Sequence, residues 1–314
     1  MPDRADAVRP CILLFTPTLV PFSPRLSRLF DIVLATDAEM RRRAIESHAS
    51  SVRGVITTGK FGLTADEIAR LPNLEIVAVL GIGTENIDAA AVSAAAIKLE
   101  TRGGTNSDTV ADHAIALALT LLRNIPVMHN GVVQGQWSEV RSSRPRLFGH
   151  RMGIAGLGNI GAAVARRAAG FDMDVAYFSR SRKSDSLLPF YSDITELAAF
   201  SDVLVLCLPG GPETDGIIGL EALRALGPEG YLVNVGRGSV VREVDLIDAL
   251  EDELIAGAGL DVFENEPEVT QRLRACRNVV LTPHVGGRSP ESDLAMVDAV
   301  MDSLCSHFFG RPGD

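Results

Sequence analysis

MGIAGLGNIG, Met152–Gly161, places Gly156, Gly158 and Gly161 in the spacing G-x-G-x-x-G. A short apolar run, Met152–Ala155, precedes the glycines and reads as a strand. The stretch NIGAAVARRAA, Asn159–Ala169, follows and reads as a helix, with Gly170 standing where a helix C-terminal glycine belongs. Strand, glycine turn and helix in that order make an anion site. The first glycine permits the tight turn, the second lets backbone approach a pyrophosphate, and the third lets helix and strand pack closely. The helix N-terminus offers its N–H groups and positive dipole end to the phosphates. The stretch therefore predicts dinucleotide binding.

The next strand, MDVAYF at Met173–Phe178, bears on which dinucleotide is used. A chain built for NAD usually ends this strand with a carboxylate that bonds the ribose 2′-OH. Here Ser179, Arg180, Ser181, Arg182 and Lys183 follow, and the nearest acids, Asp172 and Asp174, lie at the strand's start. Arg180 can stack on or pair with a 2′-phosphate, and Ser179 and Ser181 can donate hydrogen bonds to it. This favours NADP(H), with NAD(H) still open. A solvated basic loop is the plainer alternative.

The chain has 314 residues, the size of two ordinary domains, and a formal net charge of -10. That charge argues against nucleic acid or an anionic membrane as partner. The apolar runs are too short to span a bilayer. Cys11, Cys207, Cys276 and Cys305 show neither metal-ligand spacing nor a disulfide framework, so no metal is expected and a reducing, cytoplasmic setting is. The first ten residues carry acids and no apolar core, unlike a signal peptide.

The first hundred residues alternate strand and helix signals. Cys11–Phe15, Ile32–Ala35, Gly54–Thr57, Ile76–Leu80 and Ile97–Thr101 read as strands, with helix-prone stretches between them. Such alternation predicts a parallel sheet covered on both faces. Backbone N–H groups around Gly81–Gly83 suit a small carboxylate, although an ordinary tight turn would look the same. The stretch Thr109–Arg123 reads as a helix, apolar nearly all round. A subunit interface, an interdomain seat or a buried core position would each explain that. His113 within it is read as structural, and the lone Trp137 as packing or the border of a site.

Beyond the glycine turn, polar residues recur at the exits of successive strands: Arg237, Asp261, Glu266 and His284. In a doubly wound sheet these exits gather at one edge, where the dinucleotide lies. The set suits hydride transfer to a keto acid. His284 is the natural proton donor, because histidine titrates near neutrality, and Glu266 would pair with its charged ring and fix it. Arg237 offers a planar fork for the substrate carboxylate and carbonyl oxygen. Asp261 can accept the nicotinamide carboxamide. Taken singly, Arg237 and Glu266 also fit a surface ion pair, and His284 a loop histidine.

GIGTENID (Gly81–Asp88), TNSDTVADHA (Thr105–Ala114), GIAGLGNIG (Gly153–Gly161), CLPGGPET (Cys207–Thr214), NVGRG (Asn234–Gly238), GAGLDVFENEP (Gly257–Pro267) and LTPHVGG (Leu281–Gly287) occur in this order. In these motifs the chain resembles the NAD(P)-dependent D-2-hydroxyacid dehydrogenases. The resemblance implies an α/β protein of two doubly wound parallel-sheet domains, a Rossmann dinucleotide-binding domain inserted into a flavodoxin-like substrate domain. The substrate domain would comprise residues 1–102 and 288–314, the dinucleotide domain residues 103–287, with the active site in the cleft. The family's catalytic residues fall on Arg237, Glu266 and His284, and its carboxamide-binding Asp on Asp261. Phosphate contacts fall on Asn159 and Ile160. Leu208, Pro209 and Thr214 match residues around the adenosine. Val235, in NVGRG, matches a further cofactor contact, and Gly286 a backbone contact near the nicotinamide. Lys60, Phe61, Leu80, Gly81 and Ile82 match segments that bound the substrate.

The segment Tyr177–Lys183 resembles that of NADPH-using glyoxylate, hydroxypyruvate and hydroxyphenylpyruvate reductases. The resemblance implies an oxidoreductase that reduces a small 2-keto acid to the (R)-2-hydroxyacid, and a homodimer formed through the dinucleotide domain. Glu266 argues against formate dehydrogenase, which carries Gln there. No C-terminal regulatory domain is expected. Arg102 departs from the family, standing where many relatives have Pro in a TPG turn. Aromatic 2-keto acid, D-lactate and phosphite dehydrogenases share the same triad, as do some dinucleotide-sensing regulators on this fold.

Overall fold

A computed structural model of the chain describes residues 9–310. The chain divides into two compact units, Met1–Asn106 with Ser289–Asp314, and Ser107–Arg288.

The first unit holds β1 (Cys11–Leu14), β2 (Asp31–Leu34), β3 (Val52–Thr58), β4 (Ile76–Leu80) and β5 (Lys98–Arg102). All pair in parallel in the order β2-β1-β3-β4-β5. β1 and β4 are buried throughout, which is why their sequences are unbroken apolar runs, whereas β2 and β5 at the edges are half exposed. One face is sealed by the last helix, Pro290–Phe309, which buries Met296, Val297, Val300 and Leu304 against Ile12, Leu14, Ile56, Ile76 and Ala78. The order reverses between β1 and β3, so the β3 exit, residues 59–62, stands at this sheet's switch point. Arg102 ends β5 opposite Leu80, and its Nε donates to Ser303 Oγ at 2.8 Å. The substitution of Pro thus adds an anchor between strand and final helix.

The second unit holds β6 (Arg151–Ala155), β7 (Asp174–Phe178), β8 (Phe190–Tyr191), β9 (Val203–Leu206), β10 (Tyr231–Asn234), β11 (Gly257–Leu260) and β12 (Val279–Leu281). They too pair in parallel, in the order β12-β11-β10-β9-β6-β7-β8. The chain runs outward from β6 to β8, then returns to the other side at β9. The switch point is therefore between β6 and β9, with the glycine turn at the exit of β6.

Each glycine of the turn answers to a different constraint. Gly156 has φ +99°, a backbone that L side chains rarely adopt. A Cβ at Gly161 would lie 2.0 Å from the Gly156 carbonyl oxygen, so only glycine lets helix Asn159–Ala169 sit this close to β6. A Cβ at Gly158 would meet no atom within 4 Å. That space lies at the helix N-terminus, where Gly158 supplies no side-chain cap.

Gly170 is the C-cap, as expected, with a right-handed backbone (φ -69°), and the left-handed residue that turns the chain into β7 is Asp172, at φ +50°. The apolar helix, Ser107–Arg123, takes the buried core position. It lies between helix Asn159–Ala169 and strands β10–β12, burying Val110, Ala114, Leu117, Ala118 and Leu121. Arg167 ties the two helices by donating to Asp112 at 2.5 Å and Asp108 at 3.1 Å. The exposed apolar side chains come just afterwards, at Ile125, Val127, Val132, Val133 and Trp137. Among the described residues no single helix is long and apolar enough to cross a membrane.

Gly161→Ala is expected to destabilise the protein by about 1–3 kcal/mol, because helix and strand must part. Gly158→Ala is expected to leave the melting temperature within about 2 °C of the parent. Thermal melts of the two variants check the contrast.

Candidate active site

Arg237 leaves β10 through a turn held by Asn234, a side chain almost wholly buried. Asn234 Oδ1 accepts from Gly236 N–H at 3.1 Å, and its Nδ2 donates to the Arg237 carbonyl at 3.0 Å. Gly238 packs so tightly on the β11 exit that a Cβ would fall 1.9 Å from the Phe263 carbonyl oxygen. That contact joins the turn carrying Arg237 to the loop carrying Glu266.

Glu266 and His284 meet directly. His284 Nδ1 is 2.8 Å from Glu266 Oε2, while Glu266 Oε1 accepts from Phe263 N–H at 3.2 Å. The second oxygen thus fixes the carboxylate plane that faces the ring. His284 is 48% exposed and Glu266 20%, so the pair is open on the imidazole side. With Nδ1 on the carboxylate, Nε2 is the nitrogen presented outward.

Asp261 lies one residue past β11 and is 2% exposed. Its Oδ1 accepts from Thr282 Oγ1 at 2.6 Å and Val285 N–H at 2.9 Å, and its Oδ2 from Gly286 N–H at 2.7 Å. Burial pushes this carboxyl up, but hydrogen bonds from His113, Thr282 and the two amides outweigh it and hold the group below the usual aspartate range. Asp261 therefore organises the loop of His284, and Oδ2 retains the capacity to accept one further donor, as a carboxamide contact requires.

The glycine turn has the features a dinucleotide needs: open space at Gly158, an uncapped helix start at Asn159 and Ile160, and the packed Gly161 behind. Leu208, Pro209 and Thr214 follow β9 across the switch point, and Thr214 Oγ1 donates to the Pro209 carbonyl at 2.6 Å, closing that turn on itself. Val235, nearly buried, leaves β10 beside them. The neighbouring Cys207 thiol is pushed up to about 12 by burial and stays protonated.

At the β7 exit the structure amends the donor set. The Ser179 hydroxyl donates to the Ser181 carbonyl at 2.7 Å, so its one proton serves its own loop. Arg180 reaches Glu213 on the β9 loop at 2.9 Å, both side chains being largely exposed. The buried Tyr177 hydroxyl accepts from Lys183 N–H at 2.8 Å and sets the curve of this segment.

In the first unit the loop 59–62 is held by Arg41 and Asn86. Arg41 donates to the carbonyls of Phe61 at 2.8 Å and Gly62 at 3.1 Å, with its guanidinium over the Phe15 ring. Asn86 Nδ2 donates to the Lys60 carbonyl at 3.0 Å. β4 ends at the buried Leu80, and its turn carries Gly81 at φ +87° and the exposed Ile82. Among the described residues no group of acids, histidines or cysteines is arranged to hold a metal ion.

A dinucleotide turn at the switch point, with a paired His and Glu and an Arg on neighbouring strand exits, defines an NAD(P)-dependent oxidoreductase. Residues 115–286 match the model of the D-isomer specific 2-hydroxyacid dehydrogenase NAD binding domain. The chain is 39% identical to hydroxyphenylpyruvate reductase of Plectranthus scutellarioides over 302 residues, 96% of each chain. It is 36% identical to 2-ketogluconate reductase of Gluconobacter oxydans, again over 96% of each. Among solved structures it superposes on a 2-hydroxyacid dehydrogenase of Ketogulonicigenium vulgare with TM-score 0.91 and 34% identity, covering 98% of this chain and 97% of that one. An NADPH-dependent glyoxylate/hydroxypyruvate reductase of Sinorhizobium meliloti, solved with NADP and malonate, gives TM-score 0.84 and 35% identity over 96% and 94%. The protein belongs to the D-2-hydroxyacid dehydrogenase family.

The sequence reading did not find Thr282, Asn234 and Gly238 as parts of the site. Thr282 precedes the Pro-His pair of LTPHVGG, and Asn234 and Gly238 bracket Arg237 in NVGRG, so position inside a motif was the available signal. Asp261→Asn is expected to destabilise the protein by about 1–3 kcal/mol at neutral pH. A carboxyl held below its ordinary value contributes above that value, and the contribution disappears as pH falls through the folded one. The gap between variant and parent should therefore narrow below about pH 4, which urea unfolding at neutral and acid pH measures.

Proposed function

We propose that this enzyme uses NADPH to reduce a small 2-keto acid of the glyoxylate or hydroxypyruvate type to the (R)-2-hydroxyacid. The observation that carries the reading is the 2.8 Å contact of His284 Nδ1 with Glu266 Oε2, in the same unit as the glycine turn. Bound dinucleotide supplies the hydride that the carbonyl carbon takes up. His284, its ring fixed through Nδ1, delivers the Nε2 proton to the carbonyl oxygen, and Glu266 stabilises the charged ring before that transfer. Arg237 pairs with the substrate carboxylate and polarises the carbonyl. Gly156, Gly158, Asn159, Ile160 and Gly161 receive the pyrophosphate, Leu208, Pro209 and Thr214 border the adenosine, Asp261 and Gly286 serve the nicotinamide, and Val235 is a further cofactor contact. Lys60, Phe61, Leu80, Gly81 and Ile82 contribute to substrate choice.

The preference for NADPH rests on the β7 exit, where Arg180 and Ser181 stand in place of a carboxylate. The Sinorhizobium relative, NADPH-dependent and solved with NADP, supports it. Homodimerisation is the second part of the proposal. The exposed apolar run through Ile125, Val133 and Trp137 is the surface that suits a second copy.

The test is NADPH oxidation against glyoxylate, hydroxypyruvate, pyruvate, phenylpyruvate and hydroxyphenylpyruvate, with NADH in parallel. Turnover of the first two with NADPH is expected. Nucleotide binding without turnover of any acid would move the reading to phosphite oxidation or to a sensing role. His284→Ala should lower kcat by about 10²–10⁴-fold with NADPH affinity kept. Arg180→Asp should weaken NADPH far more than NADH, and equal losses would mean that Arg180 does not meet the 2′-phosphate.

A further inference from the structure

His284 stands in the left-handed backbone region, at φ +54°. A non-glycine residue is disfavoured there and stays only where its surroundings hold it. Its own N–H is shared between the carbonyls of Asp261 at 2.9 Å and Thr282 at 3.0 Å. The next two amides, of Val285 and Gly286, end on Asp261 Oδ1 and Oδ2. Three consecutive N–H groups thus converge on one residue. The fit at Gly286 is tight, because a Cβ would fall 2.8 Å from Asp261 Oδ2 and 3.3 Å from His113 Cδ2.

A carboxylate turns easily about its terminal torsion unless something holds it. Thr282 Oγ1, 2.6 Å from Asp261 Oδ1, does so. The ionised carboxylate can only accept, so the Thr282 proton points toward it. Thr282 Oγ1 is then the acceptor in its 2.9 Å bond with His113 Nε2, which makes Nε2–H the donor. His113 lies on the helix Ser107–Arg123, buried along most of its length. A continuous line of hydrogen bonds leads from that helix, through His113, Thr282 and Asp261, to the backbone that carries His284.

We propose that Thr282 and His113 are positioning residues for His284: through the Asp261 carboxylate they hold residues 284–286 in the one backbone that aims the imidazole at Glu266. This rests on the reading of His284 as proton donor. Neither side chain touches the reacting atoms.

The test compares Thr282→Val, which keeps the shape and removes the hydroxyl, with Thr282→Ser, which keeps the hydroxyl. Hydrogen–deuterium exchange of the Val285 and Gly286 amides is read alongside steady-state kinetics. In Thr282→Val those amides should exchange at least about tenfold faster, with β6 unchanged. Its kcat should fall at least about tenfold while KM for the keto acid moves less than about threefold. Thr282→Ser should stay within about threefold of the parent in all three. Parent-like exchange in Thr282→Val, or equal impairment of the Ser and Val variants, overturns the proposal. If Thr282→Val does not fold, His113→Asn decides by the same exchange measurement, with faster Val285 and Gly286 amides expected and parent-like ones contradicting it. A parent enzyme that turns over no keto acid would defeat the reading of His284, while the exchange still decides whether Thr282 holds the segment.

Discussion

Parallel pairing throughout β6–β12 forces every strand of the second unit to end on the same edge of the sheet. Arg237, Asp261, Glu266 and His284 are far apart in sequence, yet each follows a strand whose end lies on that edge. The pairing depends on crossover helices packed close to the sheet, and at β6 the approach leaves no room for a Cβ at Gly161. The glycine that packs the helix also directs its N-terminus toward the switch point between β6 and β9. Packing and anion binding are therefore two consequences of one backbone geometry.

This edge is held mainly by main-chain groups and buried polar side chains. Asn234 shapes the turn of Arg237, Gly238 seats it on the Glu266 loop, and Asp261 gathers the amides after His284. Such satisfied networks fix geometry without relying on exposed ion pairs, which contribute little. The exposed Arg180–Glu213 pair is of the other kind.

Much of this was legible in the sequence because the signals are local. Buried parallel strands write themselves as apolar runs, and the seven stretches read as strands each lie within about two residues of an observed one. β8 escaped, since two edge residues carry no periodicity. Gly170 is legible as the helix end, whereas the left-handed turn at Asp172 is not, because glycine is only the commonest residue for that conformation. Ser179 looked free to meet a phosphate, and only the folded loop shows its proton given to Ser181. The Thr282–His113 bond joins residues 169 positions apart, a pairing no spacing rule reaches. The Arg, Glu and His were legible as a set because each follows a strand, while the partners that orient them are products of the fold.

The family assignment stands on matched length and matched core, and the chemistry proposed for this chain adds direction, cofactor and substrate class. One measurement bears on all three at once. NADPH carrying deuterium at nicotinamide C4, on the face from which transfer occurs, is mixed with the enzyme and hydroxypyruvate, and the product is examined by mass and chirality. The account predicts (R)-glycerate with a single deuterium at C2. Unlabelled glycerate, (S)-glycerate, or no product from a protein that binds the nucleotide would contradict it.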